Sequence, residues 1–266
     1  MPLITDEKPE QFRMGEIGTL GLNIFNGVSA EELIKDLNFP TSVKTFREMS
    51  YHPAINAPLT LFDNLISKVE WSFNPPEDAT PEEIKQCKLV ESMMQDMEQP
   101  WGEFISDTLS AQTFGFSVHE KVYRRRNKNS GSKHTDNVIG WKKLAIRNQD
   151  SIERFLFSDD GNDIIGVKQN VSKLGSLGRY INRSPNKMEI ILPRSKFLHF
   201  RVGKHRGDPF GKSPLRDAYT AWRFLTTIEE IEAAGVAKDL TGLPILRLPP
   251  QYLSADATPE QKAINL

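Results

Sequence analysis

The sequence predicts an α+β fold, a mixed domain of helices and antiparallel strands followed by one long helix, and three observations carry that prediction. Apolar residues recur with a helical period through much of residues 53–114. Between 116 and 202 the pattern changes to short alternating strands separated by polar turns. From Ser213 a helical period returns and holds to about Leu240, before Gly242 and Pro244 stop it.

Taken in order, residues 1–50 are weakly patterned, with helices predicted from a Ser29 cap to about Leu37 and from Thr41 to Met49. From Pro53, residues Ile55, Leu59, Phe62, Ile66 and Val69 share one helical face, and Trp71-Ser-Phe73 reads as a short strand closed by Pro75-Pro76. Thr80-Pro-Glu-Glu83 is a strong helix start: a capping hydroxyl, a proline at the first helical position, and carboxylates at the positive helix end. Ile84, Cys87, Val90 (or Met94) and Met97 then turn inward, with the methionines as adaptable core filling. Pro100 opens another helix, closed by Gly115. Strands follow at Phe116–Tyr123, Trp141–Ile146, Ile152–Phe157, Ile164–Val167, Met188–Leu192 and Phe197–Val202, the third and fourth forming a hairpin around Ser158–Asp163. The polar insertions Arg124–Asp136 and Ser172–Lys187 read as exposed loops. Ser213 caps the final long helix and Pro214 takes its first position, with Leu215, Trp222, Leu225 and Ile228 as its packing residues. At 1.5 Å per residue that helix is a strut of roughly 40 Å.

A chain of 266 residues buries a core without disulfides, and its single cysteine, Cys87, fits a reducing compartment. The start is polar and acidic rather than a signal peptide, and no apolar run approaches a membrane span. A net charge of −1 conceals a polarised chain. Residues 1–120 carry 8 basic and 20 acidic side chains, residues 121–216 carry 22 and 8, and residues 217–266 carry 4 and 7. Two readings remain open: a basic surface that binds nucleic acid with salt-dependent affinity, or acidic and basic regions that pair within or between subunits.

The densest basic cluster is Arg124-Arg125-Arg126, with Lys128 and Lys133 beyond it; a second basic trio is Lys204, His205 and Arg206. Both are candidate nucleic-acid or subunit contacts, although the aromatic interleaving of single-strand binders is missing. Gly211-Lys212-Ser213 superficially suggests a phosphate loop. Only Asp208, Pro209 and Phe210 separate it from Gly207 where four residues are needed to wrap a phosphate, and Pro209 lacks an N–H. Asp159, Asp160 and Asp163 read as a hairpin turn, since no glutamate stands where a calcium loop needs its twelfth-position ligand. His199 sits in an apolar strand and reads as a packed histidine. With no nucleophile elbow, paired carboxylates or metal-ligand spacing in view, the expectation is no catalytic residue, no cofactor, no metal and no enzyme.

Several short segments occur in a telling order. Val69-Glu-Trp-Ser-Phe73 closes the Asp63–Phe73 passage; Phe114-Gly-Phe-Ser-Val-His-Glu-Lys-Val-Tyr123 and Leu192-Pro-Arg-Ser-Lys-Phe-Leu198 come next. Pro209-Phe-Gly-Lys-Ser-Pro-Leu215, Tyr219-Thr-Ala-Trp-Arg-Phe224 and Gly242-Leu-Pro-Ile-Leu-Arg-Leu-Pro249 complete the series. Over roughly residues 50–250 this order resembles the portal proteins of tailed bacteriophages, particularly the Mu-like type. The resemblance implies a ring of about twelve subunits at one capsid vertex of the virion, assembled in the host cytoplasm, through which double-stranded DNA enters and leaves. It implies partners in the terminase large subunit, capsid and scaffold proteins and a head-tail connector, and no membrane. It divides the chain into a weakly patterned segment 1–50, an α/β wing domain 51–212, a stem helix 213–241 and the start of a clip region at 242–266. Portals of this type continue with a second stem helix, a tunnel loop and a crown, so the resemblance also implies a chain truncated at its C-terminus. Because portal tunnels are often acidic, basic residues 121–216 are as well matched to shell, scaffold or neighbouring subunits as to DNA. The alternative is a monomeric or dimeric DNA-binding module that uses the same basic region.

Overall fold

The computed structural model describes residues 19–25, 28–29, 31–170, 189–203 and 207–242. The chain divides into two units, Met1–Ala218 and Tyr219–Leu266. In the first, a two-residue pair, β1 (Ile24–Phe25) with β2 (Val28–Ser29), precedes four helices: α1 (Thr41–Ser50), α2 (Pro53–Ser67), α3 (Pro81–Asp96) and α4 (Trp101–Phe114). Six strands follow: β3 (Phe116–Arg125), β4 (Ile139–Arg147), β5 (Ile152–Phe157), β6 (Ile164–Asn170), β7 (Glu189–Pro193) and β8 (Phe197–Arg201). Helix α5 (Leu215–Thr241) starts in the first unit and runs through the described part of the second.

Strands β4-β3-β8 form one antiparallel sheet and β5-β6-β7 another. Strand alternation determines the layering. Phe116 and Val118 of β3 face one core, where Phe155, Val167 and Leu192 come from the second sheet and Phe197 from β8. Ser117 and His119, between them, face the other way, toward α4. On that side Phe104 and Ile105 meet Leu144, Leu198 and Phe200. The central sheet is therefore covered on both faces, and each large side chain removed from water contributes about 1.5–3 kcal/mol.

Local chemistry explains the boundaries. The Thr80 hydroxyl accepts from Glu83 N–H at 3.4 Å while the Thr80 N–H donates to the Glu83 carboxylate at 2.7 Å, so the cap expected at Thr80 is a reciprocal one. Gly115 ends α4 in a left-handed conformation, its N–H donating to Ala111 O at 2.7 Å. Ser213 accepts from Leu215 N–H at 3.1 Å and so caps α5.

Some expectations change. The helix predicted from Ser29 is instead a bridge followed by a single 3₁₀ turn at Lys35–Leu37. Side chains take the local backbone groups there: Glu31 accepts from Asn23 N–H at 2.9 Å, Glu32 from Ile34 N–H at 3.2 Å, and Asn38 donates to Glu32 O at 2.9 Å. Among the described residues Trp71-Ser-Phe73 pairs with no strand, and the segment is exposed. The apolar stripe of α2 is present, yet no α2 residue is buried. Ser172–Lys187 and the region assigned to 242–266, apart from Gly242, lie outside the described residues.

Candidate functional site

The three arginines expected to act together do not share one surface. Arg124 turns inward and forms an ion pair with Asp96 at 3.3 Å, the two side chains only 6 % and 1 % exposed. It also donates to Ser130 O at 3.2 Å and to the Glu98 carboxylate at 3.3 Å. Asp96 in turn accepts from Ser132 Oγ and Lys133 N–H, both at 2.7 Å. Burial opposes the Asp96 charge, but those two hydrogen bonds and the Arg124 guanidinium outweigh it and hold the carboxyl below its ordinary range. Arg126, also buried, pairs with Asp136 at 3.1 Å and donates to Ser92 Oγ at 2.9 Å. Strand alternation leaves Arg125 between them on the outside, exposed. Two of the three charges thus fasten the β3–β4 loop to α3, and Arg125 is the member available to a partner. Lys204 and Arg206 lie outside the described residues.

The Gly-Lys-Ser turn is a clasp. Lys212 N–H donates to Val202 O at 2.8 Å, and Val202 N–H to Gly115 O at 2.9 Å. The Ser213 hydroxyl donates toward Thr113 O at 2.7 Å and Gln112 O at 3.1 Å, so the residue that caps α5 also closes the carbonyl end of α4. Phe210 is buried, stacked on Phe39 at 4.3 Å and edge-on to Phe116 and Phe155 at 5.5 and 5.1 Å. Two glycines make the approach possible: at Gly211 (φ +61°) a Cβ would stand 2.3 Å from Gly115 O, and at Gly115 (φ +91°) one would stand 2.5 Å from Phe210 O. The neighbouring cavity measures about 90 Å³, far below the size of a nucleotide site. Backbone donors that a phosphate would require are turned into the protein.

His199 Nε2 donates to Pro209 O at 2.8 Å. Burial, with the nearby Arg201 and Arg194 charges, pushes its pKa down to about 4 against the Pro209 hydrogen bond. Burial lowers His119 to about 4 as well, against its contact with Leu144 O. Both rings are neutral packing elements at pH 7. Among the described residues no group of three His, Cys, Asp or Glu side chains is placed to hold a metal ion, and no helix is long and apolar enough to cross a membrane.

Along α5, Leu215 is buried, Trp222 is half-buried, and Leu225 and Ile228 are 41 % and 36 % exposed. Trp222 lies 6.1 Å from Tyr219, whose hydroxyl accepts from Arg223 at 2.8 Å. The single period assumed for the four packing residues resolves into two faces. Leu215, Tyr219 and Trp222 lie together, and Phe224, Ile228 and Ile231 form an exposed stripe on the opposite side.

A feature that the sequence did not reveal is an apolar groove of about 530 Å³ in the first unit, between α4 and the β4-β3-β8 sheet. Trp71, Trp101 and Trp141 line it together with Phe104 and Phe200, and Lys121 is its one charged lining residue. These residues come from α4, three strands and the segment between α2 and α3, so no local spacing could have announced them.

A family model described as portal protein of Mu bacteriophage matches residues 43–252. No curated protein matches the chain. Among solved structures, a chain from the virion of a native gene transfer agent particle aligns at 13 % identity and a TM-score of 0.38, covering 77 % of this chain and 58 % of that one. A chain from the neck of an empty gene transfer agent particle aligns at 13 % identity and a TM-score of 0.30, covering 76 % and 58 %. The chain thus spans little more than half the length of either.

Proposed function

Since the chain belongs to the family of Mu bacteriophage portal proteins, we propose that it is a subunit of a portal ring. In this reading about twelve copies sit at one vertex of the capsid, double-stranded DNA passes through the ring during packaging and ejection, and the role is structural rather than catalytic. The terminase large subunit and a head-tail connector dock on the ring, capsid and scaffold proteins surround it, and assembly takes place in the host cytoplasm. Residues 51–212 are the wing, 213–241 the stem helix, and 242–266 the start of the clip.

The observation that carries the reading is the family match, which reaches over most of the mixed domain and all of α5. A capped helix of 27 residues directly after that domain supports it. So does a Gly-Lys-Ser turn whose donors are spent on the fold, leaving nucleotide hydrolysis to a separate protein. Light scattering on the purified chain, with images of any large species, tests the proposal. A closed ring with a central hole is the expected result. A strict monomer or dimer whose DNA affinity falls steeply with salt would overturn it in favour of a DNA-binding module.

A further inference from the structure

The lining of the Trp groove defines what fills it. Its walls are almost wholly apolar, and Lys121 is the one charged side chain among the described residues that line it. Among the described residues Lys121 makes no ion pair or hydrogen bond, and no acidic side chain lines the groove. An occupant complementary to it brings bulky apolar groups, with a carboxylate placed to meet Lys121. At about 530 Å³ the groove has room for more than one large side chain.

The same chain displays such a surface. Phe224, Ile228 and Ile231 of α5 are 69 %, 36 % and 66 % exposed. At 100° per residue they fall within about 60° of one another, with the i, i+4, i+7 spacing of a helix that docks in a groove. Glu232 follows about 40° from Ile228 on the same side, and both it and Glu229 are exposed. The stripe supplies the apolar anchors, and the glutamates supply the acceptors.

We infer that the groove of one copy receives the Phe224–Glu232 segment of α5 from a second copy, with Glu232 meeting Lys121. Groove and stripe are different patches, so the contact is heterologous, and repetition of a heterologous contact closes a ring when its rotation permits. The inference rests on the portal-ring reading and specifies which surfaces would join neighbours.

The test uses the full chain with Cys87→Ser as background. Two differently tagged copies, one carrying Lys121→Cys and the other Glu232→Cys, are co-expressed and oxidised. The expected result is a disulfide-linked species bearing both tags. Separately, Lys121→Glu or Glu232→Lys alone should raise the concentration needed for half-assembly at least tenfold, and the two together should return it to within about threefold of the parent. Glu232 is exposed and Lys121 half-buried, and circular dichroism checks that the fold is kept in each variant. A ring by light scattering without the two-tag species, and with no effect of either reversal, overturns the inference and leaves the ring reading standing. A monomer at every concentration, again without the two-tag species, removes both. A crosslink confined to one chain carrying both cysteines assigns the groove to the chain's own helix and likewise overturns the proposal.

Discussion

Replacing Gly211 with alanine tests the clasp at its tightest point. The residue sits at φ +61°, where an added Cβ costs about 1–2 kcal/mol in backbone strain alone. That Cβ would also stand 2.3 Å from Gly115 O and 2.8 Å from Val202 O, both of them backbone atoms. Neither carbonyl is free to retreat: Gly115 O accepts from Val202 N–H at 2.9 Å, and Val202 O accepts from Lys212 N–H at 2.8 Å. Relieving the clash stretches or breaks at least one of these bonds, each worth about 0.5–1.5 kcal/mol net, and loosens the stacked Phe210 beside them. The expected loss is about 3–4 kcal/mol, a large fraction of the roughly 5–15 kcal/mol that holds a domain together. Gly161→Ala is the control: its φ is +72°, but nothing lies within 4 Å of the new Cβ. It should cost about 1–2 kcal/mol, the strain alone. Urea denaturation followed by far-ultraviolet dichroism measures both. Equal destabilisation by the two substitutions would refute the claim that close backbone approach makes this turn a clasp.

Asp96→Ala should cost about 3 kcal/mol, because it removes the buried partner of the Arg124 guanidinium and leaves it only the partly exposed Glu98 carboxylate; exposed Arg125→Ala should stay within about 0.5 kcal/mol in the same assay. Lys212→Ala should change stability by less than about 1 kcal/mol, since the ion pair it loses among the described residues, with Asp217, is open to solvent on at least one side. Calorimetry should find no nucleotide binding to either the parent or this variant; binding lost on substitution would restore the phosphate-loop reading. His119 and His199 hold pKa values of about 4 in the fold, against an ordinary value of 6.5. The unfolded chain therefore takes up protons first as pH falls. Their contribution is whole above pH 6.5 and is lost progressively down to about 4, with a slope of at most about 1.4 kcal/mol per pH unit for each ring. His119→Gln should remove close to half of that slope in urea midpoints taken at pH 7, 6 and 5, and an unchanged slope would show that the rings are not buried neutral.

Much of the architecture was legible in the residue order. The Thr80 capping box, the left-handed Gly115, the period-2 strands from Phe116 onward and the Ser213-Pro214 helix start depend on neighbours three or four positions away. Backbone geometry there acts locally, so sequence alone determined them, along with the α+β class and the family to which the chain belongs. Tertiary structure decided which side chains remain available. Arg124 and Arg126 look like Arg125 in the sequence, but alternation turns them toward Asp96 and Asp136, whose positions depend on the packing of α3 and the β3–β4 loop. The stripe on α2 has the period of a buried face but is only partly covered, Ile55, Leu59 and Ile66 half-buried and Phe62 and Val69 exposed, since a hydrophobic period says that a face can be covered and not what covers it. The groove gathers Trp71, Trp101 and Trp141 from segments dozens of residues apart. Residues so far apart in the chain come together only when α4 packs on the sheet, so the groove is a product of tertiary structure alone.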